Sequence, residues 1–494
     1  MLTAKTTLIL GEGPTAGKIR TLFGVSGKTR RKLSDPQETG FTRLILCVDE
    51  IHDITVTLER LGELCKANKP FAKNPLPVVL LSSKRNPPVD NETILEAVQG
   101  RPVLIRVCSI PSVAARRLLR RYPLHLSADG AFGQVVHVLI VGFSDLGIAI
   151  ALHAMRLAHY GLGRPRLTIA ESDPKRYRDD FIAEFPEARN VADIHFTDLD
   201  LSGLTEFPVT SVYLCDPGVS EITLRTESIL ESLRRRQSAC PPLFLDIGEL
   251  ATSGELAAWD GRTYPFSALR EVCDPDILFG DSEDELARIV HDYYRDSIAA
   301  QGRPLEGNPA GESWERLDDS YRQASRHQAD QLTAKVVAID CRFAAEHESE
   351  FFVFYPREVE KLAKIEHDRW SADRYLSGWK YGQVRDNEQK IHPELIPYDQ
   401  LSEDMKDLDR YTVRLMPALL GRKGLAIRRN LIVGMITACE NGKVGKSYIR
   451  SLDSLFERLT DRHPDRALVL AIDLADDLQR IVAKRAREKY QAVL

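Results

Sequence analysis

The sequence predicts an α/β chain in which two parallel-sheet domains stand in tandem, followed by a mainly helical domain and a short α/β C-terminal segment. Three observations carry this expectation. Short β-branched and leucine-rich runs alternate with helical stretches up to about residue 290, the pattern of strands joined by crossover helices. A glycine turn follows the first strand of each set. Composition then shifts at Gln301 to Ser313, which is rich in Gly, Pro, Asn and Glu and carries no apolar period.

In order, the first domain (1–130) takes its strands from Thr7 to Leu10, Leu44 to Val48, Pro77 to Ser82 and Pro102 to Val107. A helix is expected around Ile54 to Cys65. Another spans Ser112 to Tyr122, where Ser112 caps the start, Val113, Leu118 and Leu119 are buried, and Arg116, Arg117, Arg120 and Arg121 face solvent. The second domain (131–298) draws on Val135 to Val141, Arg166 to Ala170, Asp193 to Phe196, Ser211 to Leu214 and Leu243 to Asp246. After a linker at 299–313, a helical domain (314–425) includes Val359 to Leu376, whose Leu362, Ile365, Trp370 and Leu376 share a side. A β-α-β-α-like segment closes the chain at 426–494.

Composition sets bounds on function. With 43% hydrophobic and 28% charged residues, the chain can bury cores without further staples. Its 67 basic and 72 acidic residues leave a net charge of -5, which gives no global field toward nucleic acid or an anionic membrane. The cysteines Cys47, Cys65, Cys108, Cys215, Cys240, Cys273, Cys341 and Cys439 form no C-x-x-C pair and read as structural. No secretory leader or apolar run of roughly 18 residues is apparent, so a cytoplasmic protein without membrane insertion is expected.

Val138-Leu139-Ile140-Val141-Gly142 enters a turn that ends at Gly147 and opens a helix, the context of a dinucleotide-binding Rossmann turn. Gly142 permits the turn, Gly147 lets the helix approach the sheet, and free amides face a pyrophosphate. Ser144 replaces the middle glycine, so it either narrows the site or bonds the phosphate, and Asp145 adds a negative charge. Glu171 and Asp173 lie at the end of the second strand, where an acid holds a ribose hydroxyl. The alternative is a Rossmann-like turn kept for packing alone.

Val135 to Phe266 resembles, through Gly142, Gly147 and Glu171, the TrkA-N domain of potassium-conductance regulators. That resemblance implies NAD(H), ATP or ADP bound as a regulator. Near the N-terminus, Gly11-Glu12-Gly13-Pro14-Thr15-Ala16-Gly17-Lys18 fails the P-loop pattern, because Glu12 stands at the first glycine's place and Ile19 follows the lysine. It reads as another Rossmann-type turn, with Asp49 and Glu50 as a ribose acid or an exposed strand end.

Glu366-His367-Asp368-Arg369-Trp370, Gly378-Trp379-Lys380-Tyr381-Gly382, Arg385-Asp386, His392-Pro393 and Pro397-Tyr398 make the densest aromatic and ionisable cluster. Trp370, Trp379, Tyr381 and Tyr398 can stack on a purine, while Arg326, Arg369 and Arg385 offer planar donors to phosphates. A compact aromatic core with surface ion pairs is the other reading. With Trp314-Glu315 and Arg322 to Asp330, these motifs resemble the ryanodine-receptor (RyR) repeat domain, which implies a nucleotide-derived ligand. His327, His367 and His392 with Glu366 lack metal-ligand spacing, and no metal is expected.

The tail from Leu431-Ile432-Val433-Gly434 through Asn441 to Lys446, a helix at Ile449 to Leu459 and Ala467 to Ile472 is similar to the opening of SLOG nucleotide-binding domains. Asp477-Leu478-Gln479-Arg480 lacks the glycine of that family's turn. Together the sequence supports a nucleotide-sensing regulator, homodimeric, of the kind that domain company associates with bacterial stress or antiviral signalling. NAD-dependent oxidoreductase and cytosolic regulatory subunit of potassium transport are the alternatives. No acid-base set follows the nucleotide segment, so catalytic residues are not assigned.

Overall fold

The computed structural model describes residues 6–11, 13–23, 28–30, 41–67, 71, 74–89, 94, 100–124, 135–160, 163–204, 207–215, 222–236, 241–248, 263–280, 283–300, 302, 304–305, 308–339, 341–345, 352–429, 432–437 and 468–473. The chain divides into two compact units, Met1–Ala338 with Val353–Lys423 and Ile339–Phe352 with Gly424–Leu494.

In the first unit, β1 (Thr7–Leu10), β2 (Lys28–Arg30), β3 (Arg43–Cys47), β4 (Leu76–Ser82) and β5 (Val103–Ser109) form a parallel sheet in the order β2-β1-β3-β4-β5. Every residue of β1 is buried, as a strand covered on both faces requires. One face packs Leu44, Leu46, Val78 and Leu80 against Leu58, Leu61 and Leu64 of α2 (Ile54–Ala67). α1 (Pro14–Phe23) follows β1, and β2 is a strand for which the sequence carried no signal.

Helix α3 (Ile110–Arg121) corrects two expectations. It starts earlier, capped by Ser109, whose hydroxyl accepts from the Ser112 amide at 3.3 Å. Arg116, expected in solvent, is buried, and Arg117 is half-buried. Carboxylates distant in sequence take them inward: Asp330 and Asp284 lie 2.7 and 3.1 Å from Arg116, and Glu283 pairs with Arg117.

The second sheet has six parallel strands, β6 (His137–Val141), β7 (Arg166–Ala170), β8 (Asp193–Thr197), β9 (Ser211–Leu214), β10 (Leu243–Asp246) and β11 (Thr263–Phe266), in the order β11-β10-β9-β6-β7-β8. β11 extends the expected set by one strand. The chain runs outward from β6 through β8 and crosses back to β9, so the strand order reverses between β6 and β9. Gly142 and Cys215 sit there, at the carboxyl ends where such sheets hold ligands. Leu139, Val212, Leu214, Leu233, Leu243 and Leu245 are buried in the core beside them.

α4 (Asp145–Leu157) leaves the glycine turn, α5 (Pro174–Glu184) follows β7, and α6 (Ile222–Arg236) follows β9. Two short helices, α7 (Ala268–Val272) and α8 (Pro275–Phe279), then lead to α9 (Glu285–Ala300). Trp314 closes the linker region by burying itself, with Arg288 and Arg326 guanidinium groups 5.5 and 5.8 Å from its ring. Helices α10 (Asp319–Ala338), α11 (Pro356–Leu376), α12 (Glu403–Arg414) and α13 (Met416–Gly421) complete the unit. In α11, Leu362, Ile365 and Leu376 are buried as expected, and Trp370 is half-buried. A short parallel pair, β13 (Lys380–Tyr381) with β14 (Ile391–His392), follows α11.

The second unit contains an antiparallel pair, β12 (Cys341–Ala345) with β15 (Leu425–Arg429), and a parallel pair, β16 (Ile432–Thr437) with β17 (Leu468–Asp473). The parallel pair fits the β-α-β-like expectation for the tail. The expected helix Ile449 to Leu459, Asn441 to Lys446 and Asp477 to Arg480 lie outside the described residues.

Candidate functional site

Two glycine turns occupy equivalent positions, each between the first strand of its sheet and the helix that follows. At the N-terminal turn, the Glu50 carboxylate accepts three backbone N–H groups, from Gly13 at 3.0 Å, Thr15 at 2.6 Å and Ala16 at 3.1 Å. Those amides form the positive end of α1, where an anion would sit. The protein's own acid fills that place, which resolves the alternatives for Glu50. Asp49 is likewise committed, accepting from Ser82 Oγ at 2.7 Å and Ser83 N at 2.5 Å.

At the second turn, Gly142 has a φ of 86°, and a Cβ there would lie 1.8 Å from the Cys215 carbonyl oxygen. A Cβ on Gly147 would lie 2.4 Å from the Gly142 carbonyl oxygen. Strand crossing and helix approach therefore demand both glycines, whatever is bound. Ser144 caps α4, its hydroxyl accepting from Gly147 N at 3.5 Å, and Asp145 Oδ1 accepts from Arg85 N at 3.1 Å.

The acids expected to hold a ribose are spent differently. Buried Glu171 accepts from Phe143 N at 2.5 Å and from Ser172 N at 3.1 Å, while Asp173 caps α5 by accepting from Arg176 N at 3.1 Å. One turn amide takes Glu171, against three that take Glu50. Phe143 turns inward among Tyr177, Phe181 and Phe196, its ring centroid 5.4 to 6.4 Å from theirs.

The helical segment separates its arginines into two groups. Arg326 is bonded to Asp284 through Nε at 2.8 Å and Nη2 at 2.6 Å. Buried Arg369 meets Glu366 at 2.7 Å and Asp373 at 2.5 Å, and Lys335 pairs with Glu366. Asp373 also takes Arg156 of α4 at 2.9 Å and lies 2.7 Å from His327 Nδ1. Burial alone would raise the Glu366 pKa, but Arg369 and Lys335 hold it down at about 2. Both His153 and His327 are buried and lowered by desolvation, with ring centroids 5.5 Å apart. Arg326 and Arg369 thus leave the phosphate-facing set, because desolvated guanidinium groups need paired carboxylates. Tyr398 leaves the stacking set, since its ring is buried and its hydroxyl donates to Glu360 at 3.1 Å.

The remaining residues gather around Arg374, which the sequence did not single out although it lies one helical turn beyond Trp370. Its guanidinium carbon is 5.8 Å from the centroid of Trp370 and 5.1 Å from that of Trp379. Among the described residues it has no hydrogen-bonded carboxylate; desolvation lowers its pKa, and adjacent Asp373 offsets this in part. His392 lies edge-on to both indoles, at 5.0 and 6.0 Å. Burial, then Arg385 and Arg374, push its pKa down to about 4, so it is neutral at pH 7. Arg385 is exposed, with Nε donating to Asn387 at 3.0 Å, and Tyr381 is exposed beside the cluster in β13. Half-buried indoles with an unpaired guanidinium between them can stack a purine and accept its phosphate.

Among the described residues, no group of His, Cys, Asp or Glu could hold a metal ion, and no helix is long and apolar enough to cross a membrane. Residues 356–429 match the family model of the RyR domain. Solved structures similar to this chain include a dipicolinate synthase polypeptide of Bacillus halodurans, at 11% identity over 56% of this chain and 97% of that one, with a TM-score of 0.23. Its counterpart in dipicolinate synthase from Bacillus subtilis is 13% identical over 61% of this chain and 99% of that one, with a TM-score of 0.24. An NAD+-bound 3-phosphoglycerate dehydrogenase of Entamoeba histolytica is 10% identical over 56% and 93%, with a TM-score of 0.20. At such identities and scores, these likenesses bear on no activity.

Proposed function

We propose that this chain is a nucleotide-sensing regulator whose RyR-type segment stacks a purine on Trp370 and Trp379 and meets its phosphates with Arg374 and Arg385. The observation that carries the reading is Arg374, a partly desolvated cation held over two indoles with no hydrogen-bonded carboxylate among the described residues. NAD(H), ATP and ADP are the ligand class, with the TrkA-N-like module as the element that responds.

Helix α11 supports that coupling. On it, Asp373 stands beside Arg374 and binds Arg156 of α4, the helix that begins at the Gly142 to Gly147 turn. A ligand that draws on Arg374 changes the field at Asp373, and the differential affinity for two arrangements of α4 and α11 is the signal. A cytoplasmic homodimer is the assembly that suits such a regulator.

The test is thermal denaturation and tryptophan fluorescence of the full chain with NAD(H), ATP, ADP and ADP-ribose. A ligand at 100 times its dissociation constant adds about 2.7 kcal/mol to stability. Quenching by one nucleotide, lost in Trp379→Ala and weakened about tenfold in Arg374→Gln, is expected. No stabilisation by any of them overturns the reading.

A further inference from the structure

The amino ends of β6, β7 and β8 lie at the edge of the second sheet opposite its glycine turn, and a cavity of about 310 Å³ opens there. Its lining includes His137, Arg166, Thr168, Arg189, Asp193 and His195. His137 forms the floor: Nε2 is 2.8 Å from Thr168 Oγ1 and Nδ1 is 3.1 Å from the Phe207 carbonyl oxygen. Desolvation, with Arg166 adding to it, pushes its pKa down to about 4, so the floor is neutral at pH 7.

Cations dominate the walls. The Arg166 guanidinium carbon lies over Phe207, 3.2 Å from the ring centroid, and its Nε is buried with no acceptor in the protein among the described residues. A buried donor left unsatisfied is destabilising. Arg189 is exposed at the mouth, and no described residue accepts from its guanidinium. Asp193 is the sole carboxylate in this lining, and Arg164 stands 3.7 Å from it. A second cavity of about 270 Å³ adjoins, sharing Arg189 and His195 and adding Lys175 and Arg178.

We propose that this cavity binds a small organic anion carrying a carboxylate or phosphate, at a site separate from both the glycine turn and the Trp370 to Trp379 surface. Forked guanidinium donors such as those of Arg166 and Arg189 in this lining suit both headgroups. The volume lies at the lower end of ligand pockets, which favours a small metabolite over a dinucleotide. The adjoining basic groove accommodates a second anionic group on the same molecule.

Isothermal titration and thermal denaturation of the full chain with inorganic phosphate and with citrate, at constant ionic strength against chloride, test the assignment. Saturable binding of either probe is expected, weakened at least tenfold in Arg189→Ala and unchanged in Trp379→Ala. Arg189 is exposed and bonds to no described side chain, so that variant keeps the fold even if Arg166→Gln, which strips the Phe207 stack, does not. Binding of phosphate alone or citrate alone supports the site and identifies its headgroup. No saturable response beyond chloride overturns it, as does Arg189→Ala binding like the parent chain, or loss of binding in Trp379→Ala.

Discussion

The two glycine turns start from one design and end differently. Each places an acid just past a strand that pairs with the module's first, β3 beside β1 and β7 beside β6, and each acid reaches back to the turn. Glu50 collects three amides of the N-terminal turn, whereas Glu171 collects one of the second and also bonds Ser172 N. Charge-assisted bonds of this sort are roughly twice as strong as neutral ones, so the first turn carries its own fixed anion. The same sequence feature, an acid after that paired strand, therefore marks a site for a ribose in one protein and an internal plug in another. Only the direction of the side chain separates them.

The modules differ also in their histidines, and acid breaks the comparison most forcefully. His52 of the first module is exposed, while in the second His137 and His153 are buried and His159 is half-buried, all three with lowered pKa values. An unfolded histidine, with a pKa of about 6.5, takes up a proton that the folded one refuses. Stability is thus complete above about pH 6.5 and falls as pH drops toward the folded value, about 4 for His137. By pH 5 this histidine alone costs about 2 kcal/mol. His367, raised beside Asp409, acts in the opposite sense but stands alone against several lowered partners. Thermal denaturation between pH 7.5 and 5 should show the second module losing stability first, read by hydrogen exchange along its strands. Equal loss in both modules would remove the distinction.

Alanine at the glycines is the next largest contrast. Gly142→Ala drives a methyl into the Cys215 carbonyl oxygen at a φ of 86°, and neither backbone can yield without separating β6 from β9. A loss on the order of 3 kcal/mol or more is expected, measured by urea denaturation. Gly17→Ala in α1 is the control, since its methyl meets nothing within 4 Å and helix propensity improves. A mild Gly142→Ala would mean that the turn tolerates side chains and that its glycine has no packing role.

Much of this arrangement could be read from the sequence. The buried runs Thr7–Leu10 and His137–Val141, the glycine turns and the helix with Leu362 and Ile365 follow from periodicity and local chemistry. What could not be read depends on partners far along the chain. Arg116 is bonded to residues 168 and 214 positions away, so nothing near it signals burial. Arg326 and Arg369 resemble phosphate donors in sequence because a guanidinium shows the same residue type whether an acid or a ligand meets it. Arg374 escapes notice for the converse reason: its indole neighbours are plain in the sequence, but that no described carboxylate hydrogen-bonds it is a property of the packed structure alone.

The smallest expected effect bears most directly on the turns themselves. Glu50→Gln keeps the shape but removes the charge that three amides share, and its one carbonyl oxygen can serve them less well. With bonds to charged groups worth about 1.5 to 3 kcal/mol each, and solvent reaching this half-buried turn, a net loss of about 2 kcal/mol is expected. Glu171→Gln, with one turn amide at stake, should lose about 1 kcal/mol. The ordering is the sharper measure, because both substitutions share the same chemistry and the same place in their modules. Glu50→Ala extends it: with the internal anion gone, inorganic phosphate should restore part of the lost stability at the start of α1, whereas the parent turn gains nothing there. If Glu171→Gln proved the more damaging and phosphate failed to rescue Glu50→Ala, the first turn would be held by packing and its carboxylate would be incidental.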